Sequence, residues 1–204
     1  MRFAENMLGN CIVARFLVVA LLATVARADT PATAPSTGDA AIMQTFRDYN
    51  AAMAVGDEPT MLSLQHAVSD DQKAIAKAMT GNDLSVGKLK AAVEGKFGAD
   101  AAKQVAKAVG DVGNDDLEHA KINLKGNKAM IAIGGGGIPM INVDGKWLFD
   151  MTEASIAPTP ERTQALITTY EGRAKNFNII TAGVKDGKFD DIAQVIEELR
   201  SGGL

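Results

Sequence analysis

His66 and His119 are the only imidazoles in the chain, and neither is followed by a second ligand at metal-binding spacing, so no metal centre is expected on them. His66 stands at the end of an expected short helix, where a cationic ring suits the dipole. His119 falls in an expected strand beside acidic neighbours, and both histidines read as structural or solvated. Gly134-Gly135-Gly136-Gly137 could bring backbone N–H groups close to an anion. A phosphate loop, however, joins a strand to a helix and carries Lys-Ser or Lys-Thr. These glycines lie between two expected strands and read as a loose hairpin loop or bulge. Asp186-Gly187-Lys188-Phe189-Asp190 has a superficial likeness to a calcium loop, but Asp191 replaces the invariant glycine and Lys188 occupies a ligand position. Asp111, Asp115, Asp116 and Glu118 form an acidic cluster that reads as a solvated turn. The sequence therefore assigns no cofactor and no metal.

The N-terminus carries an export pattern. Arg2 and Arg15 precede an apolar run from Phe16 to Ala26, and Ala26-Arg27-Ala28 supplies the small residues of a cleavage site. The run is 11 residues long, whereas a spanning helix needs about 20, so residues 1–28 are expected to be a signal peptide and the mature chain to have no membrane span. The expected location is the periplasm or the medium. Cys11, the only cysteine, leaves with the signal, which removes disulfides and thiolate metal sites from consideration. Loss of three arginines and one glutamate leaves 18 basic and 24 acidic side chains, a net charge of −6. With no basic cluster against that background, nucleic acid is not an expected partner.

Residues 29–38 are rich in Thr, Pro, Ala and Ser and read as a flexible leader. From Asp39, the spacing of Ile42, Phe46, Tyr49 and Met53 predicts an amphipathic helix that stops at Gly56. Asp57 is placed to cap a short second helix, and Ser69 with Gln72 forms a capping box for a third. The third is expected to break at Gly81-Asn82 and to resume with Val86, Leu89, Val93 and Phe97, before a weaker helix that ends at Gly110. Strands follow: Glu118 to Leu124, Ala129 to Ile133, Ile138 to Val143 and Lys146 to Met151, the last two joined by Asp144-Gly145, a strong hairpin signal. Several of these strands are apolar on both faces, so the second face of the sheet needs a cover. The expected cover is a C-terminal helical hairpin, capped by Thr159 with Pro160 at its first position and resumed after a cap at Asp190. It would pack on the sheet of its own chain or of a second copy, which makes a homodimer one of the expected assemblies.

A helix-rich half followed by a strand ending in Asp144-Gly145-Lys146-Trp147, then Leu148-Phe149-Asp150, resembles the closing hairpin of the NTF2-like superfamily, which includes ketosteroid isomerases and SnoaL-type cyclases. The resemblance implies an α+β fold: N-terminal helices packed on a four-stranded antiparallel meander, forming a cone. Residues 39–152 would be that domain and residues 153–204 a C-terminal helical extension packed on it. In this fold the concave side would be lined by Phe46, Tyr49, Met53, Trp147 and Asp150, the candidate ligand-binding residues; no catalytic residue carries over by motif. Ketosteroid isomerases use a tyrosine on an early helix with carboxylates lining the cone, which singles out Tyr49 and Asp150.

Three functions follow as expectations. The first is a non-catalytic, exported domain that binds a small apolar ligand or a partner protein. The second is an enzyme of isomerase, hydratase or cyclase type using Tyr49 and a carboxylate. The third is a structural module of an envelope complex. Two polar groups converging on an apolar cavity would mark an enzyme, a cavity without them a carrier, and neither a scaffold.

Overall fold

A computed structural model of the chain describes residues 37–133, 136–153 and 159–202. The expected signal peptide, residues 29–36 of the leader, Gly134 and Gly135 lie outside the described residues, as does the Asp115 side chain.

Helix α1 (Thr37–Val55) forms on the expected stripe, with Ile42, Phe46, Tyr49 and Met53 all buried. It ends at Gly56, whose φ of 78° is strained for any residue with a Cβ. Asp57 caps α2 (Glu58–Ser63): its carboxylate accepts from the Thr60 hydroxyl at 2.6 Å and the Thr60 N–H at 3.1 Å, and these bonds hold the carboxyl below its ordinary pKa. A two-residue strand, β1 (Gln65–His66), precedes α3 (Asp70–Phe97), which opens on the Ser69–Gln72 capping box. Helix α3 runs unbroken for 28 residues through Gly81-Asn82, where the sequence predicts a break. A glycine in a helix interior costs about 1 kcal/mol relative to alanine, and the flanking Thr80, Asn82, Asp83 and Val86 are all buried against neighbouring elements, which outweighs that penalty. Helix α4 (Ala99–Val109) ends at Gly110 in the left-handed region, and a single turn, α5 (Asn114–Leu117), follows.

The remaining strands are β2 (Lys121–Lys125), β3 (Lys128–Ile133), β4 (Gly136–Val143) and β5 (Lys146–Asp150). The sheet order is β1-β5-β4-β3-β2, and β1 lies parallel to β5. The sheet is thus five-stranded and mixed, not four-stranded and antiparallel as the sequence predicts. The extra strand is held by N–H donation from Phe149 to the Leu64 carbonyl (2.9 Å) and from Met151 to the His66 carbonyl (3.0 Å). Residues 118–120 are not strand; they follow α5, where Leu117 is buried and anchors the turn. Gly136 and Gly137 belong to β4 and not to a loop: a Cβ on Gly137 would lie 2.7 Å from the Met130 sulfur. The Asp144-Gly145 turn has positive φ at both residues, 51° and 83°, as the hairpin signal requires.

One face of the sheet packs on α1, where Ile131, Ile138, Met140, Trp147 and Phe149 meet Ile42, Phe46, Tyr49 and Met53. The Thr45 hydroxyl adds a bond to the Trp147 carbonyl at 2.9 Å. The tail, α6 (Pro160–Lys185) and α7 (Ile192–Ser201), forms a second core. In it Phe177, Ile180, Val184, Val195 and Leu199 pack with Val86, Leu89 and Val93 of α3 and Val105 of α4. The tail therefore lies along α3 instead of across the second sheet face, because the C-terminal half of α3 presents its own apolar stripe. It reaches the sheet at Met151, beside Leu166, Ile167 and Tyr170. Helix α6 continues through Gly183, where a Cβ would sit 2.8 Å from the Phe189 ring, and Asp191, not Asp190, caps α7 by accepting from the Gln194 N–H. Among the described residues no helix is long and apolar enough to cross a membrane.

Candidate functional site

A hollow lies between α1, α3 and strands β1, β5 and β4. Phe46, Tyr49 and Asn50 line it from α1, Met79 and Asp83 from α3, and Gln65 from β1. Val112 closes one side, and Ile138, Phe149 and Met151 form the sheet side. Its volume, counted as space for the centres of water-sized molecules, is about 40 Å³, on the order of three waters.

The polar groups of the hollow are few and ordered. The Tyr49 hydroxyl donates to Asp83 Oδ2 at 2.8 Å, and the Asn82 amide donates to Asp83 Oδ1 at 3.1 Å. Both members of the pair are buried, Tyr49 to 8% and Asp83 to 6% exposure. The Tyr49 ring stands edge-on to Phe149 with centroids 5.0 Å apart, which fixes where its hydroxyl points. Asn50 donates to the Val112 carbonyl and to Asn114 Oδ1. Gln65 Nε2 donates to Thr80 Oγ1 at 2.8 Å and to the Met61 carbonyl at 3.4 Å, while Gln65 Oε1 is buried with no hydrogen-bond partner among the described residues.

The candidate residues read from the sequence separate into two groups. Phe46 and Tyr49 line the hollow. Met53, one turn further along α1, instead packs where α1 crosses α3: a Cβ on Gly87 would lie 3.0 Å from the Met53 carbonyl oxygen. Trp147 is buried in the α1–sheet core at 7% exposure and takes no part in the lining. Asp150 alternates with Phe149 along β5 and so faces away from Tyr49. Its carboxylate pairs with Lys128 Nζ at 3.1 Å and accepts from the Thr152 hydroxyl at 2.5 Å and N–H at 2.9 Å. Burial opposes ionisation of Asp150, but these bonds outweigh it and hold the carboxyl below its ordinary pKa. Lys128 is raised in turn, by Glu153 at 3.0 Å first and by Asp150 second.

Asp83 and Gln65 are the lining residues the sequence reading missed. With α3 read as broken at Gly81-Asn82, Asp83 belonged to no helical face. Along a continuous helix it falls between Met79 and Val86 on the buried side, and a carboxylate interrupting an apolar stripe is a visible signal. Elsewhere, His66 sits in β1 and not at a helix end, and His119 is exposed in the turn after α5 and not in a strand. Asp111 is no solvated turn residue: it is buried and lies 2.5 Å from Lys90 Nζ. Asp116 accepts from the Gly113 N–H at 2.8 Å. Among the described residues no three His, Cys, Asp or Glu side chains are placed to share a metal ion. No family model, curated protein or solved structure matches this chain.

Proposed function

We propose that this chain is an exported binding domain of NTF2-like build whose hollow takes a small, largely apolar ligand. The observation that carries the reading is the Tyr49–Asp83 contact of 2.8 Å set in a lining otherwise dominated by Phe46, Met79, Ile138, Phe149 and Met151. An apolar concavity with a few fixed polar groups is the general form of a small-molecule site. What supports the NTF2-like build is the long first helix laid on a sheet whose strands β2 to β5 neighbour one another in sequence order. The export pattern of residues 1–28 supports a role outside the cytoplasm.

The test is a titration of the isotope-labelled chain, from Asp29 onward, with phenol and with pyrrole, followed by NMR. Saturable shifts are expected at the methyl groups of Met79, Ile138 and Met151. No response at these methyls up to solubility would sink the proposal.

The same contact favours a second reading, an acid–base enzyme of isomerase, hydratase or cyclase type. The hydroxyl and carboxylate of Tyr49 and Asp83, in place of Tyr49 and Asp150, would move the proton. Tyr49→Phe separates the two readings once a ligand is in hand. A binding module keeps most of its affinity and shows no chemistry to lose, whereas an enzyme loses turnover by about 10²–10⁴-fold.

A further inference from the structure

Most of the hollow's lining is carried by helices and strands, but Val112 belongs to the irregular segment 110–113 between α4 and α5. The segment is anchored on either side by Val109 of α4 and Leu117 of α5, both buried. Between those anchors Gly110 takes the left-handed region at φ 68°, and a second glycine, Gly113, follows Val112. Side chains from two other elements pin the span. Lys90 Nζ of α3 meets the buried Asp111 carboxylate at 2.5 Å, and the Asn50 amide of α1 donates to the Val112 carbonyl at 3.3 Å and to Asn114 Oδ1 at 3.0 Å. Asn50 and Val112 are half-buried, whereas Ile138, Phe149 and Met151 of the sheet side are buried, so the Asn50–Val112 contact lies where the lining meets solvent. A surface segment held by a few side-chain contacts opens at lower cost than the helices and strands around it.

We infer that residues 110–113 are the gate of the hollow, latched shut by the Lys90–Asp111 ion pair and opened to let a ligand in and out. This rests on the hollow being a ligand site as proposed above. Taking the cation away from a buried pair penalises the closed form, in which the carboxylate is held out of water, and leaves the open form, in which it is hydrated, nearly untouched. Neither Lys90 nor Asp111 lines the hollow. Weakening the latch therefore changes the cost of opening equally for the empty and the filled hollow, so entry and exit quicken together while their ratio, the affinity, stays as it was.

The test is the rate of phenol entry and exit, read by NMR exchange at the methyl groups of Met79, Ile138 and Met151 in the protein from Asp29 onward. Lys90→Met, which keeps the apolar stem and removes the charge, should raise both rates at least about tenfold with little change in Kd. Lys90→Arg keeps the charge and should hold the rates near those of the unmodified protein. Gly113→Ala should act in the opposite direction. Its φ of −82° suits alanine and a Cβ there would lie 3.7 Å from Asp116 Oδ2, an ordinary contact, so the closed form tolerates the methyl while the open segment loses freedom, and both rates should fall about two- to fivefold. Phenol binding with rates that neither variant alters would overturn the gate and leave the ligand site standing, as would a faster exit in Lys90→Met matched by an equal loss of affinity. No binding of phenol or pyrrole to the unmodified protein would overturn both. If Lys90→Met does not fold, Gly113→Ala decides.

Discussion

At the scale of single residues, the carboxylates Asp83 of α3 and Asp150 of β5 have been given different tasks by their surroundings. Asp83 accepts from the Tyr49 hydroxyl across 34 positions of sequence. Tyr49→Phe leaves that carboxylate short of a donor, and urea melts should show a loss of about 1–3 kcal/mol; a neutral result would mean that another donor replaces the hydroxyl. Asp150, by contrast, is tied to Thr152 and Lys128 and has a depressed pKa. For a depressed carboxyl the stabilisation is present above the unfolded value and is lost as pH falls through the folded one. As pH falls below the ordinary carboxyl range the protein should therefore lose stability more steeply than Asp150→Asn does, as read by melts at successively lower pH. Parallel curves for the two proteins would remove Asp150 from the acid response. Phe46 and Tyr49 were legible in the sequence because helical spacing alone puts them on one face. The partner of Tyr49 was not, because a polar residue is placed by the helix that carries it, and that helix was read as broken.

At the scale of elements, local chemistry was the most readable layer. Ser69, Asp57, Thr159 and the Asp144-Gly145 turn each do what their residue types demand within four positions of chain. The continuation of α3 through Gly81 was not readable, since it depends on burial against elements distant in sequence. The two glycines of this helix make that distinction measurable. A Cβ on Gly81 meets nothing within 4 Å, so Gly81→Ala should stabilise the protein, by about 0.5–1 kcal/mol from helix propensity. A Cβ on Gly87 would come to 3.0 Å from the Met53 carbonyl and 3.3 Å from its side chain, so Gly87→Ala must push α1 and α3 apart and should destabilise. Thermal melts of the two variants with shifts of the same sign would show that the crossing of α1 and α3 is looser than this geometry requires. β1 escaped the sequence reading for a related reason. Two residues carry no periodicity, and the strand exists only because β5 offers an unpaired edge.

At the scale of the whole molecule, α3 is shared between two cores. Its N-terminal half serves the hollow through Met79 and Asp83, while Val86, Leu89 and Val93 of its C-terminal half are buried with α4, α6 and α7. The sequence reading expected the tail to cover the sheet, because several strands are apolar on both faces. The apolar stripe on α3 competes with the sheet for that cover, and the tail packs on α3. The tail is consequently a requirement of α3, and through it of the hollow, more than of the sheet. Removing residues 153–204 would uncover Val86, Leu89, Val93, Val105 and Val109, each now at most 9% exposed. Burial of five such side chains is worth up to about 7–15 kcal/mol, as much as the entire stability of an ordinary domain, about 5–15 kcal/mol. The shortened chain is therefore expected to aggregate or to bind hydrophobic dyes, even though every strand and α1 are retained. Chromatography and dye binding would check this directly. If the shortened chain were a soluble monomer with the unfolding midpoint of the full protein, the tail would contribute nothing to the fold, and the second core would have to be regarded as a docking arm resting on an already complete domain.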